Sequence, residues 1–229
     1  MTVRENAGFY EVAVEYMPIE GKAAVKMIYR IHGDGTIEGL ESMEDAGGLD
    51  TCPDMFRFGM KFAMPGRFST VDYFGLGPWE NYTDRNSSAM VGHYVQNVGD
   101  MYSYSYVRTQ EAGARTGLRR FKVMDVSGMG LEISSSARFS ASALPFSQAD
   151  LDISFADSPG GQKGVNRHPL ELIEKAHLND RANGTTYVNF DLEHMGLGCI
   201  CSWGDLPLEE YRVHAQPRSF SFVIRPVNR

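Results

Sequence analysis

Apolar and polar positions alternate with period two in several short stretches of the chain. "FYEVAVEY" (9–16), "AAVKMIYRI" (23–31) and "MFRFGMKFAM" (55–64) carry the pattern most clearly. In the last, Phe56, Phe58, Met60, Phe62 and Met64 fall on one face, and Arg57, Gly59, Lys61 and Ala63 on the other. Successive side chains leave a pleat on opposite faces, so this predicts a half-buried antiparallel strand. "HGDGT" (32–36) sets Asp-Gly between two such runs, a strong hairpin signal. "LRRFKVMDVSGMGLEISSS" (118–136) reads as strand, glycine-containing turn, strand. "TTYVNFDLEHM" (185–195) and "RSFSFVIRP" (218–226) predict two more strands.

Helical periodicity is scarce. "LELIEKAH" (170–177) could make two turns, and "SQADLD" (147–152) is the better short helix. There Ser147 caps the N-terminus and Asp150 stands at the third helical position. "ADSPGGQKGVNRHP" (156–169) is rich in Gly and Pro and predicts a long surface loop. No repeat and no linker interrupts the chain. One all-β sandwich over residues 1–229 is the economical architecture. A chain of this size buries about 70% of the surface its unfolded form exposes, so neither metals nor disulfides are required for folding.

Composition narrows the partners. Hydrophobic and charged fractions of 42% and 22% are ordinary for a soluble globular protein. A net charge of −7 without a Lys/Arg block argues against a nucleic-acid surface. No apolar run approaches the roughly 20 residues that span a bilayer, which argues against a membrane partner. "MTVRENAGFYEVAVEY" has neither the basic nor the apolar region of a signal peptide. Cys52, Cys199 and Cys201 are an odd number, which speaks against a disulfide framework. The C-x-C spacing lacks the two-residue gap of zinc knuckles. His194, five residues before Cys199, keeps a metal reading open beside the simpler one of small packing thiols. Reduced thiols fit the cytoplasm; the periplasm stays open, because a parent's signal peptide would lie elsewhere.

Candidate chemistry is thin at this level. No G-x-S-x-G elbow, phosphate loop or H-E-x-x-H helix occurs. Glycoside hydrolysis needs two carboxylates about 5 to 9 Å apart, and among 29 Asp and Glu residues nothing singles out a pair. The residues alone describe a β-domain suited to carbohydrate or to protein contact. One feature stands out: "GLGCICSWGDLP" (196–207) puts Trp203 in a glycine-rich loop, where a core aromatic is not expected.

Three stretches carry a family resemblance: "YFGLGPWENYTDR" (73–85), "YVRTQEAGARTGLRRFKV" (106–123) and "HMGLGCICSW" (194–203). In this order and spacing they resemble the C-terminal small-chain domain of bacterial β-galactosidases, glycoside hydrolase family 2. The family pattern reads G-x-G-P-x-E-N-Y-x-D-R, then Y-V-x-P-Q-E-N-G-x-R-T, then M-G-x-G-G-x-x-S-W. The chain departs from it at Ala112, where relatives often carry Asn, and at Cys199, Ile200 and Cys201, within a stretch that often reads G-G-D-D-S-W. Trp79 stands at a variable position of the first motif.

The resemblance implies a large antiparallel β supersandwich of the galactose mutarotase type. It places the catalytic glutamates on a separate (β/α)₈ barrel, in the same polypeptide or in a large subunit. That barrel would hold magnesium and sodium, act on terminal β-galactosides, and belong to a homo-oligomer. This chain would then hold no catalytic residue and no cofactor, and would be inactive alone. Trp203 would be its substrate platform, with Ser202, Asp205 and His194 as weaker contacts. Gly77, Pro78, Glu80, Asn81, Tyr82, Asp84, Arg85, Gln110 and Glu111 form the structural motif. Two alternatives stand beside this: a stand-alone carbohydrate-binding module, and an aldose-1-epimerase whose acid and base would come from His93, His168, His194 and Glu111.

Overall fold

A computed structural model describes residues 1–18, 21–104, 110–151, 181–198 and 205–228. Eleven strands dominate it: β1 Thr2–Asn6, β2 Phe9–Tyr16, β3 Ala23–His32, β4 Ile37–Asp45, β5 Arg57–Pro65, β6 Thr70–Gly77, β7 Met90–Asn97, β8 Arg115–Met124, β9 Gly130–Leu144, β10 Thr185–His194 and β11 Arg218–Val227. The expected all-β sandwich is the observed architecture. The β2–β3–β4 meander follows the alternation read from sequence, and its β3–β4 turn uses Gly35 at φ 83°, a left-handed conformation that glycine adopts without steric cost.

The main path runs β1-β2-β3-β4-β11-β9-β8-β6-β7, every neighbour antiparallel. The 15-residue β9 is the branch point. Its first part pairs with β11 from Gly130 to Ser134, and its last part pairs with β10 from Ser140 to Leu144. β10 in turn pairs with β5. The branch packs over the β11 side: Phe190 of β10 lies edge-on to Phe222 of β11 at 4.9 Å and tilted against Phe220 at 6.1 Å. Around these rings Phe121, Ile133, Phe139 and Val188 complete a dry core. At about 1.5 to 3 kcal/mol for each large apolar side chain taken from water, such a core is the main stabilising contribution.

Three expectations change. Phe56 precedes β5 and is 74% exposed, so the apolar face of that strand begins at Phe58. Nor is the opposite face of β5 simply a solvent face, since Arg57 turns toward the half-buried Glu111 and the buried Asp191. Strands β1, β6 and β7 carry no clean alternation in residue type, so the sequence pattern does not predict them as separate elements. The short helix α1 covers Gln148–Leu151, and the Ser147 N–H and hydroxyl both donate to the Asp150 carboxylate at 2.9 Å. The expectations for 156–169 and 170–177 lie outside the described residues. No helix is long and apolar enough to cross a membrane among the described residues.

Candidate functional site

β6 ends in a tight turn that starts with a cis Gly77–Pro78 peptide. The Pro78 carbonyl accepts three donors: Tyr73 Oη (3.3 Å), Gln96 Nε2 (3.0 Å) and Arg115 Nε (3.1 Å). Asn81 is buried and uses its whole amide. Nδ2 donates to the Leu76 (3.2 Å) and Trp79 (2.9 Å) carbonyls, while Oδ1 accepts from the Thr116 N–H (3.0 Å) and hydroxyl (2.5 Å). Glu80 accepts from Arg85 Nη2 at 2.6 Å and from the Gly113 N–H at 2.7 Å. Arg115 is buried and further donates to the Gly113 carbonyl (3.0 Å) and Gln96 Oε1 (3.0 Å). The Glu-Asn-Tyr stretch and the Gln-Glu…Arg-Thr stretch are therefore one polar unit that fixes the turn.

Tyr82 links that unit to a second one. It is fully buried, and its hydroxyl donates to Glu111 Oε1 at 3.3 Å. Burial, with Glu111 and Glu80 nearby, raises its pKa well above that of a free phenol. Glu111 Oε2 accepts from Arg57 Nη2 (3.1 Å) and Gln148 Nε2 (3.1 Å). The same Arg57 Nη2 stands 3.1 Å from His194 Nε2, and Nη1 stands 3.5 Å from Asp191 Oδ2. A guanidinium only donates, so Nε2 accepts and the His194 ring proton sits on Nδ1. Burial and the Arg57 charge push the His194 pKa down to about 3. Burial pushes Asp191 up to about 7, Arg57 pulling it down and Glu111 adding to the rise. Glu41 on β4 is also pushed up to about 7 by burial, with Asp191 adding repulsion. β10 places Asp191 and His194 on either side of a bulge between Asp191 and Glu193.

A third contact holds the strand exit after β10. Asp84 Oδ2 accepts the N–H of Gly198. A Cβ on Gly196 would lie 2.6 Å from Asp84 Cγ, and one on Gly198 would lie 2.8 Å from Oδ2, so this approach requires glycine at both. The Gly196 N–H donates to the Tyr211 carbonyl at 2.9 Å. The returning chain is clamped by Asp54, which pairs with Arg212 and, at 2.8 Å, with His214 Nδ1. Both stems of segment 199–204 are thus tied to the body.

Trp203 and Ser202 lie outside the described residues, as do Cys199, Cys201 and His168. Asp205 and Gln110 are exposed, whereas Cys52 is a half-buried free thiol. His194 is only 6% exposed and sits beneath Tyr82, edge-on at 5.1 Å. Its place is interior rather than at a substrate-facing surface. His93 is on β7, hydrogen-bonded to Asp72 at 2.8 Å, far along the sheet from His194. Among the described epimerase candidates only Glu111 and His194 come together, through Arg57. Sequence reasoning missed Arg57, Asp191, Glu41, Gln96 and Arg115 as network members. One signal was available: Asn189 and Asp191 alternate as polar positions in β10, opposite Ser142 and Ser140 of β9. The cations implied by the resemblance would belong to the barrel, and among the described residues no group of three or more His, Cys, Asp or Glu could hold a metal. A groove of about 400 Å³, lined by Arg30, Glu38, Ser134–Ser136 and Ser221, shares no residue with these networks.

The family model described as "Beta galactosidase small chain" matches residues 2–224. A β-galactosidase of Halalkalibacterium halodurans is 30% identical over 99% of this chain, which covers 21% of that protein. One from Lactobacillus delbrueckii subsp. bulgaricus is 31% identical, with 98% and 20% covered. One from Streptococcus thermophilus is 27% identical, with 94% and 19% covered. The chain spans about a fifth of the length of these relatives.

Proposed function

The chain belongs to the β-galactosidase small-chain family, and from that premise we propose that it serves as the C-terminal domain of an enzyme hydrolysing terminal β-galactosides. The observation that carries this reading is the family match across residues 2–224 of a chain only a fifth as long as its relatives. The catalytic carboxylates belong to the remaining part, a (β/α)₈ barrel that also binds magnesium and sodium. The present chain supplies the segment bearing Trp203, whose indole face packs against the sugar or its aglycone. Support comes from the Asp84–Gly198 bond, which holds one stem of that segment on the connection whose Pro78 carbonyl takes three donors. The enzyme works in the cytoplasm as a homo-oligomer.

The acid–base requirement of an epimerase is not favoured by the Arg57 network. Such catalysis wants groups that exchange protons near the working pH and reach the substrate, whereas His194 is buried and held neutral. The test is direct. The purified chain alone leaves a nitrophenyl β-galactoside intact, and the assembled enzyme cleaves it. Trp203→Ala in that enzyme raises KM with kcat little changed, as loss of uniform binding does. Hydrolysis by the chain alone, or an unchanged KM, would overturn the reading.

A further inference from the structure

One end of the main sheet carries apolar surface displayed on a stiff backbone. Trp79 is 67% exposed, Met90 74%, Val91 54% and Val95 61%. The register brings three of them to one end: Gly77 pairs with Met90 and Leu76 with Val91, and Trp79 follows two residues after Gly77. Met90 and Val91 are successive in β7 and leave opposite faces, so this end is apolar on both sides. β7 ends the strand path and pairs with β6 alone, so its outer backbone edge is open among the described residues. Open, flat, apolar edges invite pairing, and natural proteins cover or blunt them. β7 is not blunted: it carries no Lys, Arg or Pro.

Resting on the functional reading above, we infer that this β6–β7 end, with Trp79 as anchor, is where the catalytic part of the β-galactosidase docks. The turn that shows Trp79 is fixed by three donors on the Pro78 carbonyl and by Asn81 on the Trp79 carbonyl. A rigidly presented aromatic loses little entropy on binding, which is the character of an interface hot spot. The occupant is set by two further facts. About four-fifths of each relative lies outside the matched region, so in such a protein the largest candidate partner for this surface is the rest of the same enzyme. The connection that carries Trp79 also carries Asp84, which anchors Gly198, so the stem of the Trp203-bearing segment leaves from the same end of the sheet. The partner surface offers an apolar pocket for an indole and a thioether. A sugar is the weaker occupant, because Met90 and Val91 beside the turn give saccharide hydroxyls nothing to bond.

The opposite edge is the competitor: Val3, Tyr10, Tyr16 and Met17 are exposed on β1, β2 and the residue after it. Methionines allow an internal comparison, since Met90, Met17 and Met129 are 74%, 67% and 49% exposed in this chain. Hydroxyl-radical footprinting of the assembled enzyme, in one polypeptide or two, reads all three and Trp79 together. Met90 is expected to oxidise about fivefold or more slowly than the faster of the other two, as for an anchor sealed from water, with Trp79 protected in parallel. Hydrolysis of a nitrophenyl β-galactoside by the same preparation keeps the two readings apart. An active enzyme with Met90 oxidised as fast as Met17 or Met129 overturns the docking site alone. An inactive assembly overturns the functional reading and this one with it.

Discussion

The carboxylate of Asp84 accepts the backbone N–H of Gly198 and occupies the space that a Cβ on Gly196 would need, 2.6 Å from its Cγ. Two sequence motifs more than a hundred residues apart thus close as a single lock: the acid of the Glu-Asn-Tyr-x-Asp-Arg stretch and the glycines after β10. The second oxygen, Oδ1, is buried and takes no hydrogen bond among the described residues. A half-buried carboxylate held by one backbone donor is sensitive to its neighbours, because part of its desolvation cost is left uncompensated when the donor is lost.

Breaking this lock should weaken substrate binding more than it slows the chemistry. Asp84→Ala in the assembled enzyme is expected to raise KM about tenfold, equivalent to about 1.4 kcal/mol, with a smaller change in kcat. Asp84→Asn retains an acceptor oxygen and should recover most of the loss. Gly196→Ala forces a shift and should cost about 1 to 3 kcal/mol, the usual penalty of overpacking. In the Asp84→Ala background that cost should shrink, since the clash partner is gone. Strict additivity in this cycle, read from KM and thermal midpoints, would show that the two residues act independently.

Asn81 is the keystone of the turn. Its side chain makes four hydrogen bonds to backbone and Thr116 groups in a buried setting. With a net worth of about 0.5 to 1.5 kcal/mol each and a penalty for the groups left unpaired, Asn81→Ala should destabilise the chain by about 3 kcal/mol. Asn81→Asp, of equal size but without the two amide donors, should recover little. A loss below about 1 kcal/mol in urea unfolding would mean that the turn is held without it.

Much of the sheet was legible from local pattern, and the reason is visible at β2, β3 and β11. At β3 and β11 one face meets the core and the other meets water, and at β2 the valines are half-buried between exposed tyrosines, so period two survives in the residue types. β7 defeats that reading because it is an edge, with Met90 and Val91 exposed on successive positions. β5 half defeats it, because its Arg57 face packs against Glu111 and Asp191 instead of solvent. The motif residues Glu80, Asn81 and Tyr82 were identifiable as a structural unit. The donors that buttress Pro78 beside them were not, since Gln96 and Arg115 are joined to its carbonyl only by the fold. Local spacing also gives no hint that His194 and Glu111 share Arg57, 83 residues apart in the chain and 3.1 Å each from one nitrogen.

The Arg57–His194 contact fixes a tautomer that can be observed. Arg57 has no acceptor, so His194 Nε2 must be unprotonated and the proton must sit on Nδ1. With the pKa pushed down to about 3 by burial and Arg57, ¹⁵N correlation spectra should show a neutral Nδ1–H ring at every pH from 5 to 8. Arg57→Met should free the ring to protonate and move its titration upward. A wild-type His194 that titrates near the ordinary value of about 6.5 would contradict the arrangement.

Asp191 gives the chain a pH dependence with a definite sign. Its carboxyl is pushed up to about 7 by burial, while in the unfolded chain it titrates near 4. The native state therefore holds this proton more tightly, and stability falls as pH rises between those two values. Glu41, also raised to about 7, acts in the same direction. His194 acts oppositely between about 3 and its unfolded value near 6.5, because the native ring refuses a proton that the unfolded ring accepts. Comparing wild type with Asp191→Asn removes the His194 contribution, which both proteins share. At pH 4 the protonated acid and the amide are near-isosteric and neutral, so the two proteins should have similar stability. By pH 8 the variant should have gained roughly 2 to 4 kcal/mol on the wild type, at about 1.4 kcal/mol for each unit of pKa difference. Glu41, relieved of a charged neighbour, adds to that gain. The attraction of Arg57 for an ionised Asp191 works against it, and the desolvation of a nearly fully buried carboxylate is the larger effect. Urea unfolding from pH 4 to 8 measures the difference. A gap that stays constant or narrows toward pH 8 would mean that Asp191 is ionised throughout and that its pairing with Arg57 outweighs burial.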